Sequence, residues 1–448
     1  MSRNKKIVII SICSFVFIGF LVTVLCLCLI PKTKYYKYNG EIYNDSYDYK
    51  DDYGYLYLKE KNSTQTKLYE DLYLNMTDFY HKNLDVKEED CYTLFYKEDK
   101  NNNTLTQDEI MQVYFFINIE NPKFYWMTYN FDENDCALLG ICRRYRKKND
   151  RTLLDKKIND GLKKIDNIIE NIDDEFDKLK TIYDYIVGNM KYAYDENRQP
   201  SEEPWAHNIV GFFVNNEGVC ETYAKTFKFL CDRYNIGNIP VVSEDHIWNL
   251  ALFEDEWYIF DLTWDGHNYT YFGKTEEIYE IDPSDRESHE YSELLYPLPD
   301  NMAKTPLSFG LIDLKEDGNI IATSHSMDTI FSYFNNGNYE IVLNKYEDEV
   351  MTKFYLSYID SNYNTLTIDY NKSGPEYYGS TPVKERAIIS LEKDIILTKD
   401  ITIKEAYFRK SEIKARKIIL NDATIYLKNV SLGTNMVTIE GDSIVYLD

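Results

Sequence analysis

Gly218-Val219-Cys220-Glu221-Thr222-Tyr223-Ala224-Lys225-Thr226-Phe227 is the stretch around which the rest of the chain organises. From Glu221 to Tyr234 the apolar positions Tyr223, Ala224, Phe227, Leu230 and Cys231 recur at helical spacing. The polar Asn215-Asn216-Glu217 and Gly218 read as a loop before them. The spacing therefore predicts Cys220 at the start of a buried helix. There the unpaired N–H groups and the helix dipole favour a thiolate, and the Cys220 N–H is left to face an oxyanion.

Two strands follow. His246 to Phe253 and Glu256 to Leu262 alternate as a hairpin around a Glu254-Asp255 turn. With a two-residue turn, paired residue numbers sum to 509, and Asp261 opposes Trp248, one same-face step from His246. His246 and Asp261 then lie on one face within hydrogen-bond reach. A one-residue slip would separate them. A thiol, an imidazole and a carboxylate in this order are what a Cys nucleophile, its base and the base's orienting acid require.

These segments resemble the transglutaminase-like family of papain-related thiol enzymes. The family pattern is V-C-x-x-Y-A-x-x-F, then H-x-W-N, then D-x-T-W-D. It stands here as Val219 to Phe227, His246 to Asn249 and Asp261 to Asp265. Asp177 to Val187 resembles the helix that precedes the catalytic one in bacterial members. Many relatives have His where Tyr183 stands and Gly where Thr222 stands. The resemblance covers roughly 157–300 well and the preceding hundred residues loosely. It implies an α+β, papain-like core in which Cys220, His246 and Asp261 are the catalytic residues, without cofactor or metal. Trp205 Nε1 is a candidate second oxyanion donor, and Trp248 a candidate aromatic wall for substrate. Water as acyl acceptor gives a peptide or amide hydrolase, which the short core favours. A Lys amine gives a cross-linking transglutaminase. The rival from another class is a surface adhesion or carbohydrate-binding protein in which the thiol domain is only scaffold.

The 448 residues suggest two to four domains, and 44% hydrophobic content suffices for real cores. A formal net charge of −25 argues against nucleic-acid binding, which needs a basic footprint. Residues 7–30 are apolar and uncharged, long enough to span a bilayer, and Arg3, Lys5 and Lys6 precede them. An uncleaved signal anchor is expected, with the amino terminus inside, the bulk of the chain outside the cell, and a protein or peptide substrate at the cell surface or wall.

The expected divisions are a tip and membrane anchor over 1–34, a Tyr- and Asp-rich stalk over 35–62, and a helical N-terminal α/β region over 63–156. A catalytic domain over 157–300 and a β-rich domain over 301–448 complete the chain. In that last part short apolar clusters such as 395–397, 401–403, 418–420 and 425–427 are separated by polar residues. They suit a β-solenoid of stacked short strands, with a β-sandwich as rival, and a carbohydrate or protein ligand. Cys220 and Cys231 would stand about 16 Å apart on one helix, too far to bridge. Cys136 and Cys142 could pair if the chain turns at Gly140, but not if 137–141 is straight strand.

Overall fold

The computed structural model describes residues 49–101, 104–265, 269–276, 289–290, 297–344 and 362–369, with short strands between 377 and 447. The expected membrane anchor and the first part of the stalk lie outside the described residues. Among the described residues, no helix is long and apolar enough to cross a membrane.

The stalk expectation fails from Tyr49 onward. Tyr53–Lys61 is a helix, α1, and it packs Tyr55 and Leu58 into the core. Tyrosine hides this from a composition reading, since its ring buries like an apolar side chain while its hydroxyl stays bonded. Asn62 ends α1 and begins α2, Ser63–Lys82, by accepting from the N–H groups of Thr64 and Gln65. Thr106 and Glu109 form a capping box for α3, Gln107–Glu120, which stops before Pro122. Tyr69, Leu72, Met76 and Phe79 of α2 bury with Ile110, Val113 and Ile117 of α3 in one core, which is continuous with that of the following region.

Beside these helices lies a small antiparallel sheet of β1 (Tyr96–Lys97), β3 (Ala137–Ile141) and β2 (Met127–Phe131), β3 in the centre. Because 137–141 is straight strand, Cys136 and Cys142 stay apart and both are free thiols. Gly140 is required here for close approach: a Cβ would run into the backbone of Cys91.

The central region carries α4 (Lys148–Ile169), α5 (Glu175–Asn189) and α6 (Cys220–Arg233). Ile158, Leu162, Ile165 and Ile169 of α4, and Phe176, Leu179, Ile182 and Ile186 of α5, recur at helical spacing and form buried stripes. Two short strands, β4 (Lys191–Tyr192) and β5 (Glu217–Gly218), pair in parallel, and next to α6 lies an antiparallel sheet of β6 (Asn238–Val242), β7 (Ile247–Phe253) and β8 (Glu256–Phe260). Phe253 pairs with Glu256 and Asn249 with Phe260, the register expected from the sum of 509. Glu254 and Asp255 both take positive φ, as a tight two-residue hairpin turn demands. Asn249 locks the sheet to the helix by donating from Nδ2 to the Ala224 carbonyl (3.1 Å).

The expected divisions at 156/157 and 300/301 fall inside continuous structure. α4 runs through the first. At the second, Trp257 N–H donates to Asn301 O and Ala303 N–H to Trp257 O, so the chain adds an edge to β8. Further on, β9 (Ile312–Glu316), β10 (Asn319–Ser324) and β11 (Gly337–Leu343) pair antiparallel, and β12 (Tyr363–Asp369) joins β11 in parallel. Short parallel strands at 401–404, 424–428 and 444–447 extend that sheet, while those at 395–397, 418–421 and 437–440 form a second one.

Candidate active site

Cys220 is the first residue of α6, as expected, with Val219 as its N-cap. A π-helical turn at Gly211–Asn215 and a left-handed Asn216 (φ 58°) deliver the chain to a short strand, Glu217–Gly218, which pairs in parallel with Lys191–Tyr192. Val219 N–H donates to Ala206 O (2.9 Å), and Thr222 Oγ1 donates to the same carbonyl (2.5 Å). This ties the Cys loop to the turn that carries Trp205. Thr222, where relatives carry Gly, is thus a structural tie. A Cβ at Gly218 would overlap its side chain, so the small residue of this pair sits at 218 instead.

The thiol lies between the helix start and the first residues of β7. The backbone N–H groups of Ile247 and Glu221 favour its ionised form. Burial nevertheless pushes its pKa up to about 11, with the Glu221 carboxylate adding to the rise, and these two N–H groups offset only part of it. The helix start favours a thiolate, as expected, but burial acts against it more strongly at Cys220. Desolvation outweighs a partial charge of about half a unit spread over the first turn. Glu221 itself is disfavoured as a carboxylate by burial, but Lys225 (3.6 Å) and His207 (Nδ1 at 2.6 Å) hold its pKa at about 2.

His246 and Asp261 meet. His246 Nε2 donates to Asp261 Oδ2 at 2.6 Å. Asp261 is wholly buried, which opposes ionisation, yet hydrogen bonds from His246 and His289 bring its pKa to about 2. Its other oxygen, Oδ1, accepts from the N–H groups of Thr263 (2.8 Å) and Trp264 (3.2 Å), the first turn of the helix at Leu262–Asp265. A carboxylate here is an acceptor only, so Nε2 must carry the imidazole proton of His246. Nδ1 is then a lone-pair base, and among the described residues it makes no hydrogen bond.

His289 was not among the candidates. It also donates from Nε2 to Asp261 Oδ2, at 2.9 Å, with its side chain fully enclosed. No spacing in the sequence points to it, because it comes 28 residues after Asp261 with no strand or helix period linking them. The donor atoms of His246, Asp261 and His289 lie within 4.8 Å of one another. Two imidazoles and a carboxylate are a donor set that zinc accepts, but here the same atoms are already paired with each other.

Trp248 is buried and stacks on the His246 ring (5.8 Å, 18°), with its edge toward His289 (4.8 Å). It walls the imidazole. Trp264, partly exposed, closes the other side at 5.7 Å from His246. Trp205 packs beside Ala193, Ala206 and Val219, next to the Cys loop. Tyr183, where relatives carry His, donates its hydroxyl to Asp265, whose Oδ1 accepts Thr270 N–H (2.6 Å).

Residues 163–262 match the model of the transglutaminase-like superfamily. No curated protein matches the chain. Among solved structures, a candidate cysteine protease from Cytophaga hutchinsonii aligns at 21% identity over 23% of this chain and 37% of its own, with a TM-score of 0.19. A structure described as a TGase aligns at 13% identity over 38% of this chain and 48% of its own, with a TM-score of 0.18. The chain thus spans less than half the length of either.

Proposed function

Taking as premise that residues 163–262 carry a transglutaminase-like core, we propose that this protein is a thiol enzyme of amide acyl transfer, with Cys220, His246 and Asp261 as its triad and water as its acceptor. One observation carries the reading. The buried His246–Asp261 hydrogen bond fixes the Nε2–H tautomer and leaves Nδ1 as the base, while the N–H next to His246 in the chain, that of Ile247, acts on the Cys220 thiol to favour its ionised form.

The resting thiol is neutral, so proton removal accompanies attack. His246 Nδ1 takes the Sγ proton as Sγ bonds to the amide carbonyl carbon. The oxyanion is bound by the Cys220 N–H, which has no intrahelical acceptor at the first helical position, and by Trp205 Nε1. The imidazolium, held by Asp261, returns its proton to the amine as the C–N bond breaks. Water then attacks the thioester, giving one proton to His246. The C–S bond breaks, the acid leaves and the thiol is restored.

The parallel pairing of the two short-strand sheets after residue 395 supports a solenoid-like tail, which we read as a spacer or as a site for carbohydrate or protein. A membrane anchor in 7–30, with the ectodomain at the cell surface, completes the proposal.

The test is an acyl-transfer assay on the full chain with a mixed peptide-amide library. New amino termini or released ammonia should appear with wild type and vanish in Cys220→Ser. Incorporation of an added alkylamine in place of hydrolysis would move the assignment to cross-linking. Equal turnover by Cys220→Ser would sink the thiol reading.

A further inference from the structure

Asp261 is served by more donors than a triad acid needs. Oδ1 accepts two backbone N–H groups, and Oδ2 accepts both His246 Nε2 and His289 Nε2. With Oδ1 held by the chain, the carboxylate plane is set. Oδ2 has two lone pairs, so two donors fill it and each is confined to one direction. His289 therefore decides which side of Oδ2 is left for His246.

The rings make the same point. His289 crosses His246 nearly at right angles (84°, 5.1 Å). It is itself enclosed by Trp248 (4.8 Å), Trp264 (5.2 Å) and Tyr271, which stacks on it at 5.7 Å and 14°. Trp248 and Trp264 are the same two rings that flank His246. Among the described residues, the charged or titratable groups that face His289 include Asp261, His246, Tyr271 and, at a small cavity also lined by Val241, Leu250 and Met302, Glu276. An imidazole enclosed this way is costly unless its N–H is bonded, and Asp261 supplies the acceptor.

We infer that His289 is a positioning residue for the proposed acyl transfer: its Nε2–H fills one lone pair of Asp261 Oδ2 and its ring abuts His246, so that His246 is held as the Nε2–H tautomer with Nδ1 directed away from Asp261. Its part is to hold His246 in place rather than to act on the reacting atoms. This inference rests on the triad reading, since without a working His246 there is nothing to position.

Two substitutions separate the hydrogen bond from packing. His289→Phe keeps a ring and removes the donor. His289→Gln carries an amide N–H at the reach of Nε2. The readout is the alkylation rate of Cys220 by iodoacetamide in the full chain, followed on the Cys220 peptide by mass spectrometry because the chain has eight cysteines. His289→Phe should be slower about tenfold, a fraction of the roughly 10²–10⁴ that a positioned base supplies, and His289→Gln should recover to within about threefold. The second readout is the ¹⁵N-histidine spectrum, tractable with six histidines. His246 should show one tautomer in wild type and His289→Gln, and a mixture in His289→Phe.

His246→Ala is the control that keeps the two readings apart. If it leaves Cys220 alkylation unchanged, the thiol–imidazole reading itself falls. If it slows alkylation while His289→Phe matches wild type, or His289→Gln is as slow as His289→Phe, only the positioning role is overturned. Circular dichroism and melting confirm that each variant is folded, and a His289→Phe chain that does not fold leaves the His289→Gln tautomer spectrum to decide.

Discussion

The hydroxyl of Tyr183 on α5 donates to the carboxylate of Asp265, 82 residues later, and this bond joins the helix before the Cys loop to the turn that follows Asp261. Both groups are buried. Burial raises the pKa of Asp265, and the bonds from Tyr183 and the Thr270 N–H act against it. Tyr183→Phe leaves the carboxylate short of a donor, so it should cost about 1–3 kcal/mol, the penalty for a buried polar group left unpaired. Urea unfolding measures this. A change under about 0.5 kcal/mol, the level of an ordinary surface substitution, would show the bond to be incidental.

Glu221 is the charge that most opposes the Cys220 thiolate after burial itself. Glu221→Gln keeps a hydrogen-bonding side chain and removes the negative charge. A thiol held at about 11 should then ionise at lower pH, and its alkylation at pH 8 should rise roughly threefold, the effect of about half a pKa unit. The rate of wild-type Cys220 should still be climbing at pH 9, without the plateau between pH 5 and 8 that a preformed thiolate would give. A plateau there would mean that the imidazole pairs with the thiol before substrate arrives.

Asp261 has a folded-state pKa of about 2 against 3.8 for an unperturbed side chain. A depressed carboxylate stabilises the fold fully above its unfolded value, and that contribution is lost as pH falls through the folded one. The window is therefore from about pH 4 down to about pH 2, and the amount is about 2 kcal/mol at 1.36 kcal/mol per unit. Asp261→Asn removes this slope. Denaturant titrations of the two proteins at pH 7, 4 and 3 should converge by about half of that amount by pH 3, the remainder being lost below it. Parallel curves would refute the linkage.

The segment from 49 to 62 holds the N-terminal helices together. Tyr55 and Leu58 are buried, and the Gly54 N–H donates to both oxygens of Glu120 (2.9 and 3.1 Å). Each large apolar side chain is worth roughly 1.5–3 kcal/mol when fully buried, and Glu120 would lose a donor it cannot replace. Deleting 49–62 should lower stability by about 4 kcal/mol or more, visible as a fall in the denaturant midpoint. A spacer would be removable at no cost.

What the amino-acid sequence by itself determined is local and periodic. The 3.6 spacing of Tyr223, Ala224, Phe227 and Leu230 dictates α6 and puts Cys220 at its start. The Glu254-Asp255 turn dictates the hairpin register, and through it the meeting of His246 with Asp261. Thr106 and Glu109 announce a helix start because the cap is made within four residues. The tertiary structure decided what depends on distance in space alone. His289 reaches Asp261 through a connection with no periodic pattern. Tyr183 takes Asp265 as its partner from another helix. The thiol pKa follows from how completely the neighbouring elements exclude water, which no local rule counts. Residues 49–62 look solvated by composition, and only the contact with α3 shows that their tyrosine and leucine side chains are covered. Short-range hydrogen bonds and side-chain periods are written along the chain, whereas burial is a property of the assembled volume.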